Sequence, residues 1–203
     1  MVDAADLKSV ARKSVRVRVP PRAPRMLMTP GLLITGFGPF GEVADNPSGT
    51  LARTSGEEFL ELEVSYQAVD RLIDSDTLAS YQRILMLGVA MKATRCRFEL
   101  YTHNEVHGLA DALGETRTGI IMEGAPPILG STLWLPKMTG KVPRNCEISI
   151  DPGRYLCNYL GYRVNQAYPN VRAGFLHVPP VEALSLEKQA RIIRRIIAAT
   201  DYI

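Results

Sequence analysis

The sequence predicts an α/β protein, a three-layer α/β/α sandwich with a mixed, mainly parallel central sheet. Short apolar runs of strand length, such as "LLITGF" at 32–37 and "RILMLGVA" at 83–90, alternate along the chain with helical patterns. Strands separated by helices favour parallel pairing, because each helix brings the chain back to the same end of the sheet. The 203 residues are 46% hydrophobic, which is enough to bury a full core, and no apolar run is long enough to span a bilayer.

The first two thirds of the chain contain one clear helix start and several strand patterns. Asn46 is a suitable N-cap, and Pro47 fits the first turn of the helix that would follow. Residues 60–69 alternate between apolar and polar side chains, as a half-buried strand does. The other elements predicted up to residue 136 are a short helix at 75–82, strands at 83–90, 96–106 and 131–136, and a loop rich in glycine and proline at 107–130.

The C-terminal third predicts two amphipathic helices and two strands. The first helix covers 153–168, and its apolar residues recur at helical spacing at Tyr155, Leu156, Tyr159, Leu160 and Val164. The second covers 185–200, with Ser185 as N-cap and one apolar face formed by Leu186, Ala190, Ile193 and Ile197. Short strands are predicted at 146–151 and 173–179.

The first 27 residues are predicted to form a basic, proline-rich extension outside the fold, followed by one domain at 28–203. Residues 1–25 carry seven basic and two acidic side chains, so the remaining chain has a net charge of −2 although the whole chain has +3. The body of the protein is therefore not a basic nucleic-acid-binding domain, and binding of an acidic partner by the extension alone stays an alternative. The extension lacks the apolar core of a signal peptide.

The cysteine and histidine content argues against two kinds of site. Cys96, Cys146 and Cys157 form an odd set without the spacing of metal ligands, which disfavours a disulfide framework and indicates a reducing cytoplasm. The three histidines, at 103, 107 and 177, do not form a zinc-binding cluster, so no metal is expected. Cys96 and Cys146 are interpreted as buried, unreactive residues.

A cysteine, a histidine and a glutamate are placed where α/β proteins concentrate their chemistry, near the ends of strands. Cys157, in "SIDPGRYLCNY", follows a strand and begins a helix, whose N-terminal N–H groups favour a thiolate. His177 lies near the end of strand 173–179, and histidine is the usual base that partners a catalytic thiol. Glu99 could orient the imidazole. The alternative for each residue is structural: a small buried cysteine, a histidine packed after a strand and a glutamate on an exposed face.

The stretch "TGFGPFGEVADNPS" at 35–48 is rich in glycine but matches neither common phosphate-binding motif. It lacks the Gly-Lys-Ser/Thr end of a Walker loop, and Pro39 interrupts the glycine spacing of a dinucleotide fingerprint. Its glycines and Pro39 favour a fixed turn that presents Phe37 and Phe40, whose rings could clamp a small flat ring. The alternative is that both rings pack into the core.

Three of these segments resemble pyroglutamyl peptidase type I, the family of the pyrrolidone-carboxylate peptidases: "TGFGPFG" followed by "NPS", "ISIDPGRYLCN" and "GFLHVP". The resemblance runs from Leu32 to the C-terminus and excludes the extension. It implies a cytoplasmic cysteine exopeptidase that removes N-terminal pyroglutamate from small peptides without a cofactor or a metal. It also suggests a homo-oligomer, and neither a nucleic acid nor a membrane is an expected partner.

The resemblance implies a role for each matching residue. Cys157 would be the nucleophile, His177 its general base and Glu99 the third member of a Cys-His-Glu triad that acts through an acyl-enzyme. Four further residues would serve the substrate: Phe37 and Phe40 by enclosing the lactam ring, Asn46 as a loop asparagine that helps to shape the site, and Val89 through its backbone.

The sequence departs from the family around Glu99. Where the family strand usually reads Gly-Gln-Ala-Gly this chain has "GVAM", so Val89 replaces a glutamine and Met91 a small residue. Leu100 replaces an arginine, and no arginine stands near Leu109, where the family has another. The reaction class is therefore a firmer prediction than the substrate. Two alternatives remain: a related cysteine amidase acting on another small cyclic or acylated amine, and a catalytically silent homologue that binds a ligand in the pocket.

Overall fold

The computed structural model describes residues 31–41, 45–134, 138, 140 and 142–200. The predicted extension at 1–27 lies outside these residues, as do the last two positions of the predicted strand at 131–136. No helix in the described part of the chain is both long and apolar enough to cross a membrane.

Six strands form the central sheet. They are β1 (Leu32–Phe37), β2 (Glu58–Leu62), β3 (Arg83–Val89), β4 (Cys96–Glu99), β9 (Cys146–Ser149) and β10 (Arg172–Val178). Their order across the sheet is β2-β1-β3-β10-β4-β9, and the first four are mutually parallel. Strand β4 runs antiparallel to β10, and β9 pairs with β4 in parallel. The predicted mixed, mainly parallel sheet is confirmed.

Helices cover both faces of this sheet. The described helices are α1 (Pro47–Arg53), α2 (Tyr66–Asp74), a short 3-10 helix (Thr77–Ser80), α3 (Leu156–Ala167) and α4 (Leu186–Thr200). Leu72 of α2 and Leu160 of α3 join an apolar cluster on one face. Leu51 of α1 and Ile193 of α4 join a second cluster on the other face. The three predicted layers are confirmed, and the apolar spacing of the last two helices produces their buried sides.

The helix α2 corrects one strand prediction. The strand predicted at 60–69 ends at Leu62, because Ser65 begins a helix. Ser65 Oγ accepts the N–H of Ala68 at 3.1 Å, which satisfies one of the unpaired donors at the helix start. Over so few residues, the apolar positions of a helix and of a strand overlap, and the serine cap is the signal that separates them.

Two small antiparallel pairs extend the structure between β4 and β9. Strand β5 (Tyr101–His103) pairs with β8 (Ile128–Gly130), and β6 (Glu105–Val106) pairs with β7 (Gly119–Ile120). The strand predicted at 96–106 is therefore broken, and the predicted loop at 107–130 contains two short strands. The break follows Glu99: the Leu100 N–H donates to Ser149 O, and the Leu100 carbonyl accepts from Ser131 on another segment.

The strand predicted at 131–136 does not form in its described part. Thr132 and Leu133 both donate their N–H to the Ala173 carbonyl, at 3.0 and 3.1 Å, so the segment turns across β10 instead of pairing along it. Trp134 then packs edge-on against Phe98, with ring centroids 4.8 Å apart. The apolar pattern of this segment reflects burial of a turn.

Candidate active site

The three candidate catalytic residues come from three elements that meet at one place on the sheet. Glu99 ends β4, His177 is the penultimate residue of β10, and Cys157 lies in the first turn of α3. Because β10 lies between β3 and β4, His177 pairs with Gly88 on one side and with Arg97 on the other. Residues far apart in the chain are thereby placed on adjacent strands.

A tight turn precedes the helix that carries the cysteine. Gly153 has a φ of +81°, a left-handed conformation that glycine adopts without strain, and its N–H donates to Asp151 Oδ1 at 3.0 Å. Helix α3 begins without a side-chain cap, because Tyr155 at the N-cap position makes no capping hydrogen bond. The N–H groups of the first turn, where Cys157 lies, have no acceptor inside the helix and can stabilise an anion.

His177 and Glu99 form a buried hydrogen-bonded pair. His177 Nδ1 lies 2.7 Å from Glu99 Oε1, and Nδ1 is the donor because a carboxylate only accepts. The two side chains are 7% and 1% exposed, respectively, so water does not compete for this bond. Trp134 Nε1–H donates to the Glu99 carbonyl at 2.9 Å and holds the strand end. The pairing fixes the imidazole tautomer and leaves Nε2 available to the sulfur.

The Cys157 sulfur is the second group that acts on the charge of the imidazole. Burial disfavours the charged imidazole and lowers the pKa of His177, but the Cys157 sulfur and the Glu99 carboxylate outweigh it and raise the pKa to about 9. Cys157 is partly exposed, whereas Cys96 and Cys146 are buried, as interpreted from the sequence. The geometry therefore places a partly exposed thiol beside an imidazole that a carboxylate orients.

This arrangement is suited to nucleophilic catalysis. A thiol is activated when a base within hydrogen-bond reach accepts its proton and a third group orients that base. The three side chains at this site meet that geometric requirement. Within the described residues, no group of three or more His, Cys, Asp or Glu side chains is arranged to hold a metal ion.

Two side chains that support this site are not identified by the sequence analysis. The Phe175 ring lies 4.9 Å from the His177 ring, tilted by 57°, and is 1% exposed. Because residues two apart on a strand face the same side, the spacing of Phe175 and His177 on β10 could have predicted that their rings are neighbours. Trp134 lies 35 residues from its partner Glu99, and no local pattern connects them.

The two candidate aromatic residues occupy different environments. Phe37 is the last residue of β1, not part of the following loop, and its side chain is 4% exposed in the apolar cluster beneath α2 and α3. Phe40 is only partly buried and packs at the margin of the same cluster, as do Tyr155 and Cys157. The structure thus places Phe37 in the core and Phe40 at a partly exposed edge of the same apolar cluster.

Asn46 acts within the loop that follows β1. Its Nδ2 donates to the Gly38 carbonyl at 3.0 Å, and its Oδ1 accepts from the N–H and the hydroxyl of Ser48 at 3.1 and 2.7 Å. Asn46 is the N-cap of α1 with Pro47 in the first turn, as predicted. These bonds tie the end of the loop to the helix start, so Asn46 shapes the loop.

The positions that depart from the family offer no polar side chain at the site. Val89 and Leu100 pack against the apolar cluster on the face opposite Cys157. Met91 and Leu109 are 58% and 64% exposed. A contribution of Val89 to a ligand would therefore come from its backbone, as the sequence analysis expects.

A loop segment lies beside the start of α3. The His107 N–H donates to the Arg154 carbonyl at 2.8 Å, and the Tyr155 hydroxyl donates to the Ala110 carbonyl at 2.9 Å. Asp111 anchors the segment from the other side, because its Oδ2 accepts the Tyr66 N–H at 2.9 Å. The sequence predicts only a loop here, and the structure shows that its backbone is tied to the residues preceding Cys157.

Comparisons with known proteins point to one family. A family model described as pyroglutamyl peptidase matches residues 31–196. Pyroglutamyl-peptidase 1 of Rattus norvegicus is 30% identical over 183 residues, which cover 82% of this chain and 87% of that protein. Pyrrolidone-carboxylate peptidase of Bacillus subtilis is 27% identical over 179 residues, which cover 78% and 82%.

Solved structures share the fold. Pyrrolidone carboxyl peptidase from Thermococcus litoralis matches with a TM-score of 0.74 at 24% identity, covering 85% of this chain and 94% of that one. The enzyme of the same name from Thermus thermophilus matches with a TM-score of 0.70 at 26% identity, covering 82% and 98%. The α/β architecture described above is therefore the architecture of these peptidases.

Proposed function

Because this chain belongs to the pyroglutamyl peptidase family of cysteine peptidases, we propose that it hydrolyses the amide bond that follows an N-terminal pyroglutamyl residue. The observation that carries the proposal is the buried 2.7 Å bond between His177 and Glu99, with the Cys157 sulfur packed over Gly88, the strand partner of His177. We assign Cys157 as nucleophile, His177 as general acid and base, and Glu99 as the group that orients the imidazole. The free thiol that this chemistry needs fits a reducing compartment, the cytoplasm.

In the acylation step, the Cys157 thiolate attacks the carbonyl carbon of the amide that joins the pyroglutamyl residue to the next residue. The C=O electron pair moves onto the carbonyl oxygen. The tetrahedral intermediate collapses, the C–N bond breaks, and His177 Nε2 donates its proton to the leaving amine. A thioester between Cys157 and the pyroglutamyl group results. Backbone N–H groups in the first turn of α3 are positioned to stabilise the developing oxyanion.

In the deacylation step, His177 is neutral and acts as a base. It accepts a proton from water, which attacks the thioester carbonyl, and the C–S bond then breaks to release free pyroglutamate. The proton returns the pair to its starting state. Glu99 stabilises the imidazole each time it becomes charged, because its carboxylate is buried and bonded to Nδ1.

We assign the lactam ring to a site beside Cys157, with Phe40 as an aromatic wall; both residues are partly buried and pack against the same apolar cluster. A pyroglutamyl ring is small, flat and without a charged amine, so an aromatic side chain can bind it without an acidic partner. Phe37 would back this wall from the core, Asn46 would hold the loop in shape, and the Val89 backbone would supply polar contacts.

Turnover of a fluorogenic pyroglutamyl amide under reducing conditions tests the proposal, with Cys157→Ala as the matched control. We expect release of the fluorophore by the wild type and none above background by the variant. If neither protein acts but Cys157 is alkylated quickly, the site is a live nucleophile for another small cyclic or acylated amine. If neither protein acts and Cys157 is unreactive, the chain is a silent binding homologue, and the proposal fails.

A further inference from the structure

We propose that Gly88 is a positioning residue for the nucleophile, because its missing side chain provides the space in which the Cys157 sulfur lies beside the imidazole. The inference rests on the proposed function only in taking Cys157 as the reactive group. It concerns the local geometry of the sulfur and is independent of which substrate the enzyme accepts.

The space at Gly88 is already occupied by atoms of two other side chains. A Cβ built on Gly88 would lie 2.7 Å from Cys157 Sγ, and 2.8 and 3.1 Å from Cζ and Cε1 of Phe175. These separations are far below the 3.5–4.0 Å at which non-bonded carbon atoms attract each other. No residue with a side chain fits at Gly88 while the sulfur stays where it is.

The register between β3 and β10 places the space at Gly88 beside the imidazole. Gly88 on β3 is the direct partner of His177 on β10. A sulfur that rests over Gly88 therefore lies next to the strand position that presents the imidazole. The glycine brings the start of α3 close enough to the sheet for the thiol to reach the base.

The packing of Phe175 decides which group an added Cβ at Gly88 would displace, the ring or the Cys157 sulfur. The phenyl ring is 1% exposed, packs on the His177 ring at 4.9 Å, and has a Cδ2 that would lie 3.8 Å from a Cβ built on Gly161 of α3. A ring enclosed on these sides has little room to move. Cys157 is partly exposed and can rotate about χ1, so a methyl group at Gly88 would push the sulfur away from His177.

The test compares Gly88→Ala with Gly161→Ala. A Cβ at Gly161 would lie 2.8 Å from Thr102 Cγ2, a short contact that does not involve the sulfur. Alkylation of the folded proteins by iodoacetamide reports on Cys157, because Cys96 and Cys146 are buried. Turnover of the pyroglutamyl amide and the Tm are measured on the same samples.

We expect Gly88→Ala to lower the alkylation rate at about pH 6 by roughly tenfold or more and kcat/KM by about 100-fold, the order expected for a misplacement near 1 Å. The alkylation rate at high pH, where any thiol ionises, should fall much less. Gly161→Ala should retain both the alkylation rate and kcat/KM within about threefold, with a similar loss in Tm. A merely structural glycine would lower Tm without changing this pH dependence.

Alkylation of Gly88→Ala at the wild-type rate at both pH values overturns the proposal. If Gly88→Ala does not fold, the double variant with Phe175→Leu removes the contact with the ring and keeps the contact with the sulfur. We expect the double variant to fold without recovering rapid alkylation, and recovery would assign the effect to ring packing and overturn the proposal. Wild-type protein that is alkylated rapidly but releases no fluorophore refutes the substrate and leaves the assignment of Gly88 standing.

Discussion

Cysteine occurs in two contrasting regions of this protein. Cys157 lies partly exposed at the start of α3, and its sulfur acts on the charge of the His177 imidazole. Cys96 and Cys146 are buried and lie directly opposite each other on β4 and β9. The contact with Cys146 and burial raise the pKa of Cys96, whereas the same contact lowers the pKa of Cys146. A neighbouring imidazole makes Cys157 a candidate nucleophile, whereas Cys96 and Cys146 are buried against each other.

Removing the sulfur of Cys157 should give the largest effect of any change at these two regions. We expect Cys157→Ala to lower kcat/KM for a pyroglutamyl amide by about 10⁴-fold or more, because no other group can form the thioester. The Tm should stay within a few degrees, since the side chain is partly exposed. Steady-state kinetics and a thermal melt check both parts. Substantial residual turnover would remove Cys157 from the mechanism.

Replacing the carboxylate behind the imidazole should give the next largest effect. We expect Glu99→Gln to lower kcat/KM by about 10²–10⁴-fold, since the amide can hold the ring in the wrong tautomer. It should also lower the pKa of His177, because the bond and the charge of Glu99 help to raise it to about 9. The alkaline limb of the pH profile, which follows loss of the imidazole proton, should then move to lower pH. An unmoved limb in the variant would contradict this role.

The stability of the fold should depend on pH through the same imidazole. The pKa of His177 is about 9 in the folded protein and about 6.5 in an unfolded chain. Because its pKa is raised on folding, His177 contributes its full stabilisation of the fold below about pH 6.5, and this contribution is lost as pH rises through about 9. The difference corresponds to roughly 3 kcal/mol as an upper limit.

Urea unfolding of wild type and His177→Gln at about pH 6 and about pH 10 measures this contribution. The gap in the free energy of unfolding between the two proteins should narrow at the higher pH. A gap that is constant or grows with pH would mean that the imidazole is not charged in the folded protein near neutrality.

Removing a sulfur from the buried pair should give the smallest effect, and a different kind of effect. We expect Cys96→Ala to lower the free energy of unfolding by about 1–2 kcal/mol, through lost packing at a residue that is 0% exposed. The value of kcat/KM should stay within about twofold, because the pair does not touch the imidazole. A large loss of turnover with unchanged stability would show that β4 transmits changes at Cys96 to Glu99.

Local sequence patterns predicted most of the framework correctly. The helical spacing that includes Leu160 and Ile193 identified α3 and α4, because a helix buries one continuous stripe whatever it packs against. The strand predicted at 60–69 was wrong beyond Leu62, since its apolar spacing fits both the strand and the helix period. The strand predicted at 131–136 was wrong in its described part, because burial alone made a turn look like a strand.

The sequence alone determined the segments of the site, through the motifs around Cys157 and His177, and the buried faces that bring them to the sheet. Only the tertiary structure decided which side chains meet. Glu99 and His177 are 78 residues apart and bond because β4 runs antiparallel beside β10, an order of strands that no local period encodes. The same is true of Gly88: only the packing of α3 against the sheet places the Cys157 sulfur in the space that its missing side chain leaves. Local patterns follow from the chemistry of neighbours along the chain, whereas contacts between strands depend on how the whole core packs.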